Sequence, residues 1–199
     1  MGKFVRESVA AYGADLRLMT VDEYYRAADK GVFRSGEKLE LIRGQVVSMS
    51  PQKSPHSWAT GNVAETLREI LPSHCVREQH PIRLDQFNEP EPGVAVAVGP
   101  CDRYRSRHPG PQDLLLIVEV ADSSVHKDTK LKVALYAEFG IPEYWVLNLK
   151  TDCLEIYRDP VEDANGRWRY ANVEVVRRDG YAGLLPAPEA RISVSDLLP

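Results

Sequence analysis

The chain has 199 residues, of which 43% are hydrophobic and 27% charged, with a formal net charge of -4 and a pI near 5.8. These values fit a globular protein long enough to bury a core, and they exclude a disordered or low-complexity chain. The mild acidity argues against a DNA coat or architectural protein, which is strongly basic, but permits an enzyme that needs only a local basic face.

Residues 1–18 show no hydrophobic period and read as an N-terminal extension ahead of a single domain over 19–199. Thr20 followed by Glu23 is a capping-box pattern, so a helix starts there, and Gly31 stops it. Leu39, Leu41, Val46 and Val47 flank an Arg43-Gly44 turn and predict a β-hairpin. Trp58, Val63, Leu67, Ile70 and Leu71 recur at helical spacing, which predicts an amphipathic helix over Ser57–Leu71, ended by Pro72. A strand is expected over Val76–Leu84 and a short apolar one over Val94–Val98, separated by the proline-broken Asn88–Gly93. Cys101–Gln112 is polar and reads as an exposed loop. Asp113–Ala121 is almost continuously apolar, as a central strand covered on both faces must be. Lys127–Phe139 reads as a helix closed by Gly140. Tyr144–Leu149 and Leu154–Arg158 follow as strands, Asn165-Gly166 suggests a further hairpin, and the tail suggests a last strand and short turn. The order predicts an α/β (α+β) domain: a mixed β-sheet flanked by helices, with an N-terminal hairpin and a C-terminal β extension.

Cys75, Cys101 and Cys153 are far apart and form no C-x-x-C pair, so they read as buried or incidental thiols rather than as a zinc site or disulfide framework. The N-terminus has no apolar core of a signal peptide, and no run approaches membrane-spanning length. The expected compartment is the cytoplasm, with no membrane partner.

Glu119 is the most informative residue, because it interrupts the apolar run Leu114–Val120. A carboxylate without water must find a metal, a cation or a proton. It is either a functional group or half of a structural ion pair. On the following helix, Asp128, Lys132 and Tyr136 are spaced to share one face, with Lys130 nearby; such an Asp–Lys spacing is also common on surfaces. His56 stands at a helix start, where it either touches an anion or a metal or is a plain surface or capping residue. Glu40 alternates with Leu39 and Leu41, which places it on the polar, solvated face of its strand. Arg103, Arg105 and Arg107 either contact phosphate or form an ordinary solvated loop. No glycine-rich phosphate loop, G-x-S-x-G elbow or H-E-x-x-H motif is present.

The stretches MTVDEYY, LELIRGQVVSMSP with SPHSWATGNV, the NEPEP lead-in, HPGPQDLLLIVEVADSSV and KDTKLKVALYAEFGIPEYWVLNL resemble, in this order, the bacterial Uma2 family. The resemblance runs roughly from Met19 to Arg158. It implies the restriction-endonuclease-like PD-(D/E)xK fold, in which strand carboxylates bind Mg²⁺ or Mn²⁺ and a lysine helps activate water. Under it, Glu119 matches the metal-binding glutamate. Ala121 stands where the usual lysine would be, and Lys132 matches the position to which this family has moved it. Glu40 matches an N-terminal acid that joins the metal, His56 a family histidine, and Asp128 a helix acid. The departure is at Gly93, where the family carries an aspartate. Glu91 is an acid two residues earlier that would replace it, although Pro90 and Pro92 disfavour regular strand geometry there.

Two readings lead, with a structural or assembly role without nucleic acid, which the negative charge permits, as a third. The first is a metal-dependent DNA endonuclease impaired by Gly93. The second is a catalytically inactive nuclease fold that binds nucleic acid or a protein partner. A homodimer is an expectation from fold analogy alone.

Overall fold

The structure is a computed structural model, and it describes residues 17–122 and 126–199, with the side chains of 126–130 left undescribed. The described chain forms two compact units.

The first unit takes residues up to Met49 together with Asp85–Glu89. Its helix α1 (Val21–Asp29) starts on the capping box expected from the sequence: Thr20 Oγ1 accepts from Glu23 N, and the Glu23 carboxylate accepts from Thr20 N. Strands β1 (Leu39–Ile42) and β2 (Gln45–Ser48) pair antiparallel around Arg43 and Gly44. Both turn residues have positive φ, 51° and 68°, as a tight two-residue hairpin requires. No side chain fits at Gly44, where a Cβ would lie 2.6 Å from Leu18 Cβ. Glu40 corrects the expectation of a solvated face: it is only 7% exposed. Its neighbour Leu41 also bridges to Glu89, so this short strand is covered on both sides.

The second unit comprises Ser50–Leu84 and Pro90–Pro199. It holds helix α2 (Ser54–Ile70), strands β3 (Cys75–Glu78), β4 (Val94–Ala97) and β5 (Leu114–Ala121), and helix α3 (His126–Glu138). Strands β6 (Glu143–Asn148), β7 (Cys153–Glu162), β8 (Trp168–Arg177), β9 (Tyr181–Leu184) and β10 (Ala187–Ser193) follow, with a short helix α4 (Val194–Leu197). Six strands form one sheet in the order β3-β4-β5-β6-β7-β8. Among the described strands only β5 and β6 run parallel, and helix α3 is their crossover. β5 is central, which accounts for its continuous apolar run.

On one face, α2 packs on β3, β4 and β5, and Ala59, Val63 and Leu67 meet Val94, Val96, Leu116 and Val118. The β9–β10 hairpin and α4 extend this core through Ile192, Val194 and Leu197. Helix α3 packs on β5 to β8. There Tyr136 meets Tyr144 edge-on at 5.0 Å, and Tyr144 in turn packs against Tyr157 and Tyr170.

Two expectations are corrected in this unit. The strand expected over Val76–Leu84 ends at Glu78, because Gln79 adopts φ 49° and breaks the ladder. Strand β9 was not apparent in the sequence. Cys75 and Cys101 are not incidental thiols but a disulfide across 26 residues. Cys75 pairs with Ala97 in the β3–β4 ladder, which carries the chain to Cys101 just beyond β4. Cys153 is free and buried. Among the described residues no helix is long and apolar enough to cross a membrane.

Candidate functional site

Glu119 projects from the far end of β5. Its Oε1 accepts a hydrogen bond from Lys132 Nζ at 3.0 Å and another from the Tyr136 hydroxyl at 3.2 Å. Lys132 and Tyr136 lie one helical turn apart on α3, so a single face of the crossover supplies both donors. Side-chain exposure is 15% for Glu119 and 10% for Lys132, which makes this a mostly desolvated ion pair with one open side. Glu119 Oε2 has a longer contact, 3.4 Å, from the backbone N–H of Gly93.

Gly93 immediately precedes β4, whose Val94 pairs with Val118. A Cβ at Gly93 would lie 3.1 Å from Val118 O and 3.7 Å from Thr60 Cγ2. A side chain therefore fits once the backbone gives by a few tenths of an ångström. Thr60, fully buried on α2, donates from Oγ1 to His56 O at 2.9 Å and lies 3.5 Å from His56 Nδ1. His56 thus reaches the Gly93 neighbourhood through Thr60, a residue the sequence did not single out. Glu91 is half-buried in the lead-in to β4.

The remaining candidates are placed differently. Glu40 belongs to the first unit and Glu119 to the second. The side chains of Asp128 and Lys130 lie outside the described residues. Each of the three loop arginines holds a carboxylate. Arg107 forks onto Asp113 at 2.6 and 3.1 Å, Arg103 stands 3.8 Å from the same group, and Arg105 pairs with Asp102. The Arg107 guanidinium holds Asp113 below its ordinary pKa. Asp113 closes the turn before β5 and Glu119 lies near that strand's other end, so the two groups stand roughly 20 Å apart by strand rise.

Tyr144 was also missed. It lies on β6 against Tyr136, and its buried hydroxyl has no hydrogen-bond partner among the described residues. Burial pushes its pKa well above the ordinary phenol value, and the Glu119 charge raises it further.

Among the described residues no group of three or more His, Cys, Asp or Glu side chains could hold a metal ion. Glu119 already has a lysine on one oxygen, and position 93 meets the other with a backbone donor.

The model of the Uma2 family, described as "Putative restriction endonuclease", matches residues 21–195. A crystal structure of "a putative nuclease belonging to DUF820" from Anabaena variabilis is similar, with TM-score 0.67 and 15% identity over 90% of this chain and 97% of that one. At that identity the likeness is one of fold. No curated protein matches the chain.

Proposed function

We propose that this chain, which belongs to the Uma2 family, is a nuclease-fold protein disarmed at Gly93: it engages DNA but does not hydrolyse it at a useful rate. The observation that carries this reading is the environment of Glu119. Its carboxylate keeps Lys132 and Tyr136, yet on the β4 side it faces a backbone N–H instead of a second carboxylate. Phosphodiester hydrolysis builds negative charge that must be stabilised where it develops. A single carboxylate already paired with a lysine has little net charge left to attract Mg²⁺ or Mn²⁺.

A second reading, an active metal-dependent endonuclease, is favoured by one feature. The Glu119–Lys132 pair is intact and open on one side, as a working site requires. In that reading Glu91 supplies the missing acid.

Cleavage of supercoiled plasmid in Mg²⁺ and in Mn²⁺ separates the two. The natural chain is expected to leave the plasmid intact while shifting labelled duplex with a steep salt dependence. Gly93→Asp is expected to nick it, and Gly93→Asp with Glu119→Ala is expected to be silent. Cutting by the natural chain that Glu119→Ala abolishes would establish the second reading. Neither cutting nor a DNA shift at low salt would remove both.

A further inference from the structure

The Cys75–Cys101 disulfide forms one wall of an open cleft of about 380 Å³ along the edge strand β3. A volume of that order suits a small molecule. The bond is asymmetric: Cys101 is exposed in the turn after β4, whereas Cys75 is 1% exposed at the start of β3. The backbone around it is packed to contact, since a Cβ at Gly99 would lie 1.9 Å from Ser73 O. That close approach brings the turn carrying Cys101 against the start of β3.

The same cleft is lined by Arg68, Arg77 and His80, with Glu78 the acid among them, and Glu78 is 3.6 Å from Arg68. Arg77 lies on the same side of β3 as Cys75, two residues along. Its Nε is buried and has no hydrogen-bond partner among the described residues. Burial lowers its pKa, as happens when a cation is held with too little anionic company.

We propose that this cleft is a thiol–disulfide exchange site for a small thiol bearing carboxylates, with Cys101 as the sulfur attacked. The thiol, as its thiolate, approaches Cys101 Sγ from the solvent side, in line with the S–S bond. A new S–S bond forms between the ligand and Cys101 as the Cys75–Cys101 bond breaks. The electron pair leaves on Cys75 Sγ, which takes up a proton. A second thiolate attacks the ligand sulfur of that mixed disulfide, Cys101 Sγ leaves with the electron pair and takes up a proton, and the two small thiols depart joined as a disulfide. Both protein cysteines are then reduced, and two thiols have been oxidised to one disulfide. Access selects the sulfur, because the rear of Cys75 is closed by the core, while the arginines favour a carboxylate-bearing reagent.

The test uses the full chain and glutathione as the probe. Alkylation of the isolated, denatured protein should label a single cysteine, Cys153. Brief treatment with glutathione and an acid quench should give one adduct, mapped by peptide mass to Cys101, with Cys75 newly free. Rates are compared for glutathione and its diethyl ester, each normalised to its rate with a small linear disulfide. The acid form should react roughly tenfold faster, with the advantage shrinking in high salt. Arg77→Gln should bring the ratio towards one. If that variant does not fold, the salt dependence of the natural chain decides the same point. Three labelled cysteines in the isolated chain, an adduct on Cys75, or equal normalised rates for acid and ester would each overturn the proposal.

Discussion

Glu143 and Glu119 both sit in apolar strands, on neighbouring β6 and β5, and both hold a cation. Glu143 is 0% exposed and saturated. Arg158 donates twice to its Oε1, at 2.9 and 2.5 Å, Trp145 Nε1 donates to the same oxygen at 3.0 Å, and Leu185 N donates to Oε2 at 2.9 Å. Glu119 is 15% exposed, draws both short bonds onto one oxygen and leaves the other with a 3.4 Å contact. A saturated pair fixes strands β6 and β7 and the chain beyond β9. An unsaturated pair keeps an oxygen for a visitor. Burial of a carboxylate signals a need for positive charge, and the number of donors tells whether that need is already filled.

Substitutions can break this contrast. The largest effect is expected for Arg158→Met, which strands a fully buried charge and should cost about 4 kcal/mol in urea unfolding. A loss below about 1 kcal/mol would mean that Trp145 and Leu185 suffice, and the pair would not be structural. Lys132→Met should cost less, about 2 kcal/mol, because Glu119 keeps Tyr136 and an open side. A loss as large as that of Arg158→Met would erase the distinction. Tyr144→Phe should change stability by less than about 0.5 kcal/mol, since the hydroxyl it removes makes no hydrogen bond among the described residues. A thermal shift equivalent to more than about 1 kcal/mol would place an acceptor there and tie Tyr144 to the Glu119 network.

What could be read from the sequence was what short stretches of chain decide. The Thr20–Glu23 cap, the Arg43-Gly44 turn and the unbroken apolarity of β5 are each set within a few residues. Glu119 stood out for the same reason, whereas helical spacing put Lys132 and Tyr136 on one face without telling a surface pair from a site. The rest depends on approach between distant segments. The Cys75–Cys101 bond needs the β3–β4 ladder to exist first. Gln79 ends β3 by a backbone conformation that its side chain does not announce. Glu40 looked solvated by alternation, but its neighbour Leu41 bridges to Glu89 far along the chain, and both glutamates are buried. Glu143 passed unnoticed because it opens its strand, where an acid ordinarily reads as exposed.

The crossover topology has a consequence for how the surroundings of Glu119 respond to substitution. Glu119, Lys132 and Tyr136 all belong to one strand–helix–strand unit, because a parallel β5–β6 pair cannot close without α3. Position 93 leads into an antiparallel neighbour, β4, outside that unit. The two sides of Glu119 are therefore separable: a substitution at position 93 changes one of them while the other, held together by the crossover itself, stays as it is.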